Sequence, residues 1–280
     1  MYQYDSVPTH TCYHRLMGRA ALALLFLFVA APGVYAADGP ELVAQARQLY
    51  NQRLFDAALI AADEARLTSA VADLADLIAA RAYLERFRES AASADLMNAR
   101  ERLRGINAQR FDPAERTEFI VGLGEALFFE GSYGAAADVF ESVINNGTAL
   151  PADSRERVLD WWASALDRDA WQSPELPRER AYQRILARMR DESTSRPGSA
   201  AATYWLAAAA RAEGDLQAAW SAAEAGWVRA SLAIDRGVKL RADLDRLMLT
   251  AIVPERARML GQPADSLKLE WDKFKERWGN

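Results

Sequence analysis

The chain has 280 residues, enough for one large domain or two ordinary ones. Apolar residues make up 51% and charged residues 26%, a globular balance that excludes a wholly disordered chain. A formal charge of −5 leaves no basic field for general binding to nucleic acid, and the single cysteine excludes a disulfide framework within the chain.

Residues 1–36 read as an export signal. Arg15 and Arg19 give a positive start, Ala20 to Ala31 forms an apolar core of about 12 residues, and Val34-Tyr35-Ala36 ends on the small residue preferred at a cleavage site. The core falls short of the roughly 20 residues of a membrane-spanning helix, so a retained anchor is the alternative reading, and no integral span is expected after cleavage. Met17 offers a second start. No cysteine follows the apolar core, so a lipid anchor on a mature N-terminal cysteine is not available. His10, Cys12 and His14 resemble a metal cluster but belong to this leader. From about Ala37 onward the chain has neither Cys nor His. It therefore lacks the imidazole and thiolate groups of nucleophile–base pairs and zinc sites, and no cofactor or metal is expected. The expected address is the periplasm. The excess of Arg over Lys and the abundance of Ala fit a GC-rich bacterial genome.

The remainder reads as all-α. Ala-rich segments with apolar spacing of three and four dominate. Asp112-Pro113-Ala114-Glu115 has the residues of a helix start, with Asp to cap free amides, Pro for the first turn and Glu for the positive end of the dipole. Breaks are expected at Asn145-Asn146-Gly147, Ser173-Pro174 to Pro177, Ser195-Arg196-Pro197-Gly198 and Gly261-Gln262-Pro263. Asn146-Gly147-Thr148 also fits a glycosylation sequon, which a helix-ending Asn-Gly turn explains equally well.

The helical segments repeat. Ala46, Leu49, Phe55, Ala58, Ala62 and Ala65 define a first hairpin, and a step of about 34 residues leads to Ala80, Tyr83, Ala92, Leu96 and Ala99. A third unit holds Ile120, Leu123, Gly124, Leu127, Gly131, Tyr133, Ala136, Phe140 and Val143. A weaker fourth runs from Val158 to Met189, its inter-helix turn lengthened by the Pro174–Pro177 segment. A fifth holds Leu206, Ala207, Ala210, Gly214, Leu216, Ala219, Ala223 and Gly226. Small residues at fixed places let antiparallel helices approach, and Gly131 and Gly214 suit turns that need positive φ. A single hairpin cannot bury its apolar stripe, whereas a stack of them can.

This pattern resembles the tetratricopeptide repeat family, most specifically over residues 117–150, and the likeness extends over roughly residues 39–233. The resemblance implies an α–α superhelix of about five helical hairpins over 37–233, with atypical capping helices over 234–280. In that tail a helix is expected from Leu240 to Val253, and another beginning at Pro254. Leu267, Trp271, Phe274 and Trp278 recur on one face of a last helix, which reads as a cap or as an amphipathic segment for a partner. The alternative to the repeat fold is a generic Ala-rich helical bundle.

No enzyme constellation stands out. Gly122-Leu123-Gly124 lacks the third glycine and the preceding strand of a dinucleotide loop, and no lysine precedes Lys239 to serve a phosphate loop. Trp161, Trp162, Trp171, Trp205, Trp220 and Trp227 could stack on a sugar or peptide, but most should be core, and adjacent Trp161 and Trp162 cannot face the same way. In the family, the first helix of each pair lines a concave groove. Carried over, this gives Arg47, Tyr50 and Asn51, then Arg81 and Leu84, Glu125 and Phe128, Ser164 and Arg168, and Tyr204 and Arg211. Arginines beside aromatics suit an extended peptide with acidic groups or a free carboxylate. The expected function is a non-enzymatic scaffold or adaptor that holds a protein or peptide partner, in cell-envelope assembly or maintenance. The rival reading is an envelope glycan-binding protein or carboxylate-based enzyme, and self-association through the ends of the stack is a third.

Overall fold

The computed structural model describes residues 38–146 and 150–279. The leader read at residues 1–36 lies outside the described residues, and so do Gly147 and Thr148 of the sequon.

The described residues form α-helices joined by short turns, with no strand among them. The order is α1 (Gly39–Asn51), α2 (Phe55–Ala65), α3 (Ala72–Ser90), α4 (Ser93–Gly105), α5 (Pro113–Phe129), α6 (Tyr133–Asn145), α7 (Ala152–Gln172), α8 (Glu175–Ser195), α9 (Ala200–Ala212), α10 (Leu216–Arg229), α11 (Val238–Leu247), α12 (Val253–Leu260) and α13 (Ala264–Trp278). None of these helices is long and apolar enough to cross a membrane. Asp112 caps α5 as its sequence suggests. Its carboxylate accepts from the Glu115 amide at 2.8 Å, while Glu115 accepts from the Asp112 amide at 3.1 Å, so two otherwise unpaired donors are bonded reciprocally.

The turns of three hairpins share one geometry. Arg53, Gly131 and Gly214 occupy the left-handed region at φ 62°, 84° and 84°. Each donates its amide three residues back, to Tyr50, Phe128 and Arg211, and the next residue donates five back, to Leu49, Leu127 and Ala210. This pair of bonds stops a helix by meeting its last free carbonyls. The α3–α4 turn uses Ala91, at φ 55°, in a simpler form with one bond to Phe87.

Helices pack in adjacent pairs, α1 with α2 through α9 with α10, and each pair packs on the next. Successive odd-numbered helices from α1 to α11 also touch one another, whereas α2, α4, α6, α8 and α10 make no comparable contact among themselves. This two-layer order is consistent with a helical solenoid. The apolar interior agrees with it, because it divides along the chain instead of closing on one centre. One cluster joins α1, α2 and the start of α3, a second joins α3, α4 and α5, and a third runs from α6 to α13. At the C-terminal end α13 lies against α10 and α12, burying Leu267 and Trp271.

Three expectations need correction. The fourth hairpin does not have a lengthened turn; only Ser173 and Pro174 separate α7 from α8, and the extra residues lengthen the two helices to 21 residues each. Pro177 fits inside α8 because the first-turn amides have no carbonyl to reach. Ala92 is exposed and lies just before α4, because α3 runs to 19 residues against 13 in α1 and shifts the 34-residue register. Pro254 does not begin a separate helix. It is in the first turn of α12, which continues α11 through a π-helical turn at Met248–Ile252, and the wider turn accommodates a residue without an amide hydrogen.

Candidate functional site

The odd-helix layer carries a cavity of about 620 Å³, within the range of small-ligand sites, lined by residues of α1, α3, α5 and α7 and of the segment before α7. Helical spacing explains its walls. On α5, Glu118, Val121 and Glu125 lie three and four residues apart and form one stripe. On α7, Ser154, Arg157, Val158 and Trp161 do the same. Arg47 comes from α1, Leu74 and Arg81 from α3, and Leu150 and Pro151 lead into α7.

Charge organises one side. Glu118 accepts from Arg47 Nη1 at 3.0 Å and also from Arg81 Nη1, so a single carboxylate of α5 ties together the first helices of three hairpins. The Arg81 guanidinium lies 5.0 Å from the centre of the Tyr50 ring. Burial opposes its charge, but Tyr50, Glu125 and Glu118 around it outweigh that and raise its pKa above the ordinary arginine value. Its Nε is buried and has no hydrogen-bond partner. Burial lifts the Tyr50 phenol to about 12, against the pull of Arg81. Glu125 makes no hydrogen bond among the described residues. Burial pushes its carboxyl above the ordinary glutamate range, and Arg81 pulls the other way. Arg157 is exposed at the mouth and makes no ion pair among the described residues.

The apolar side centres on Trp161. Its ring meets Phe128 edge-on at 4.8 Å and Phe129 at 5.5 Å, and stacks on Phe140 at 6.1 Å. Its neighbour Trp162 faces the other way and is fully buried, the split that two successive helical positions require.

No protein-family model, curated protein or solved structure matches the chain.

Of the residues placed in a groove by repeat spacing, Arg47, Arg81 and Glu125 line this cavity. Tyr50 supports it through Arg81, and Phe128 through Trp161. Arg168 lies beyond Phe128, with its guanidinium 5.3 Å from that ring and 5.7 Å from Tyr133. Asn51 is exposed at the end of α1, and Ser164 is half-buried on α7. Tyr204 and Arg211 on α9 are not part of the cavity wall; Arg211 is engaged by Glu255, with Nε 3.0 Å from Oε2. Leu84 is a correction. It is 2% exposed and packs with Leu77, Ala80, Leu103 and Phe111, because positions 77, 80 and 84 share the core stripe of α3.

Sequence reasoning missed Glu118, Val121 and Arg157. Each lies on the stripe of a residue already singled out: Glu118 and Val121 are seven and four positions before Glu125, and Arg157 is seven before Ser164. Extending each stripe by two turns toward the helix start finds all three.

Proposed function

We propose that this chain is an exported, non-enzymatic adaptor of the tetratricopeptide type. In this reading its hairpins wind into a superhelix closed by α11–α13, and the odd-helix layer is the concave face that receives a peptide or protein partner. Its place is the periplasm and its setting cell-envelope assembly or maintenance, an assignment that joins address to fold by analogy. The observation that carries the reading is the convergence of side-chain stripes from α1, α3, α5 and α7 on one cavity that crosses four successive hairpins. A surface assembled from several repeats is what an extended partner meets and an isolated hairpin cannot offer. Photo-crosslinking in living cells tests it. A probe replacing Val121 should capture a discrete partner, and a probe replacing exposed Ala187 on α8 should not. Equal capture from both positions, or none from either, would overturn the assignment.

A second reading, a glycan-binding protein or carboxylate-based enzyme, draws on the presence of Trp161, Glu118 and Glu125 in one cavity wall. The geometry favours binding over hydrolysis. Glu118 and Glu125 lie two turns apart on one helix, a rise of roughly 10 Å, and two arginines already hold Glu118. Hydrolytic carboxylates instead flank a bond from opposite sides. Release of reducing ends from envelope glycan, lost in Glu125→Gln, would establish this second reading against the first.

A further inference from the structure

The cavity has a particular inventory of unmet polar groups, and this inventory selects a ligand. Three guanidiniums, of Arg47, Arg81 and Arg157, line it. Arg47 and Arg81 share the single carboxylate of Glu118, which leaves donors over on both. One of these, Arg81 Nε, is buried and without an acceptor. A buried donor left unpaired is costly, and a ligand oxygen that a small turn of the guanidinium brought to it would recover that cost on binding. Arg157 has no carboxylate partner among the described residues. The acids at the rim are engaged, since Asp112 and Glu115 bond each other's amides in the α5 cap. Glu125 alone is an unengaged acid, and unlike a guanidinium it can take up a proton and become a donor. Beside these groups, Leu74, Val121, Val158 and Trp161 add carbon to the lining.

We propose that the cavity is a receptor for one carboxylate borne on a compact apolar or aromatic body, with the carboxylate between Arg157 and Arg81 and the body against Trp161 and Val121. Guanidiniums recognise carboxylates through paired, charge-assisted bonds, and a largely apolar wall strengthens them. The proposal deepens the groove reading and rests on it only where the carboxylate belongs to a peptide; a free small acid would use the same atoms.

Calorimetric titration of the full chain separates these cases. The probes are 3-phenylpropionate, its neutral amide 3-phenylpropanamide, 2-phenylethylamine as a cation, and a short peptide amide with one internal glutamate beside phenylalanine. The expected result is binding of 3-phenylpropionate at least tenfold tighter than of its amide, and no binding of the amine. Arg157→Gln, which breaks no ion pair and should leave the melting curve in place, should abolish that preference. Glu125→Gln should keep or strengthen it, because it removes the one negative charge of the lining that is not already engaged. Equal affinity for acid and amide, tighter binding of the amine, or loss of acid binding in Glu125→Gln would each overturn the proposal. Binding of the acid without the peptide would support the carboxylate receptor while separating it from the groove reading. Binding of both would support the two together.

Discussion

The ring of Phe140 fills the space that a side chain on Gly124 would need. A β-carbon at Gly124 would lie 2.6 Å from Cε1 and 2.8 Å from Cζ of that ring, well inside contact distance. Phe140 is fully buried and stacked on Trp161, so it has no free direction in which to withdraw. Gly124→Ala should therefore destabilise the protein by about 2 kcal/mol through overpacking, although alanine alone would favour the helix by about 1 kcal/mol. Urea denaturation measures this. The double variant Gly124→Ala/Phe140→Leu should regain a good part of the loss relative to Gly124→Ala, a coupling expected only of residues in contact. A Gly124→Ala protein as stable as the parent would show that α5 and α6 are not this close.

Gly124 and Phe140 also show what could be read from the sequence. Both positions belong to a spacing that only close helix pairing demands, and the five hairpins lie where small and large residues alternate. Arg53 and Ala91 were harder, because they take the left-handed turn without glycine and leave no mark in the sequence. Leu84 is misplaced because the 34-residue step carries the role of Tyr50 onto it, whereas its position on the stripe of Leu77 and Ala80 puts it in the core. Glu118 escaped because its role depends on two arginines, 71 and 37 positions away, that only the stacking of three hairpins brings to it.

The left-handed turns give a second expectation. At Gly131 and Gly214 no atom lies within 4 Å of a built β-carbon, so substitution there meets backbone strain and no crowding. Gly131→Ala should cost about 1 kcal/mol. Ala91→Gly, which relieves an alanine already held at φ 55°, should add about 0.5–1 kcal/mol. The two melting temperatures should move in opposite directions. A shift of the same sign in both would mean that these turns are not left-handed.

Two glutamates should give stability opposite dependences on pH. Glu192 is 3% exposed, and Arg155 donates to it at 2.9 and 2.7 Å, with Arg196 adding a third bond at 3.0 Å. The Arg155 bonds, above all, hold its carboxyl below the ordinary glutamate value near 4.5, against its burial. Its contribution is therefore complete above that value and is lost as pH falls through the lowered one. Glu192→Gln should cost roughly 2 kcal/mol at pH 7, and the gap to the parent should narrow in acid. Glu125 behaves in the reverse sense, because its raised value means that the folded state binds the proton more tightly. Its contribution is complete below 4.5 and is lost as pH rises through the raised value. Glu125→Gln should therefore raise stability at neutral pH and leave it unchanged in acid. Denaturation midpoints measured across pH 3–8 for the parent and both variants test the two signs together.

The last helix tests whether stability is shared along the chain or held in sections. Trp271 is fully buried, meeting Trp227 at 5.4 Å and Trp220 at 6.4 Å, stacking on Phe274 at 5.7 Å, and donating its indole N–H to Asp245 at 2.9 Å. Trp271→Ala removes the side chain that joins α13 to α10 and α11, and should cost about 4 kcal/mol locally. The core cluster that holds Trp271 begins at α6, and the clusters of α1–α3 and α3–α5 are separate from it. In a stack where each hairpin touches mainly its neighbours, the damage should remain near its source. Hydrogen exchange should then show amides of α10–α13 losing protection while those of α1–α4 keep theirs. Uniform loss from end to end would mean that one cooperative core spans all the helices, and the layered order of the hairpins would no longer account for how the protein holds together.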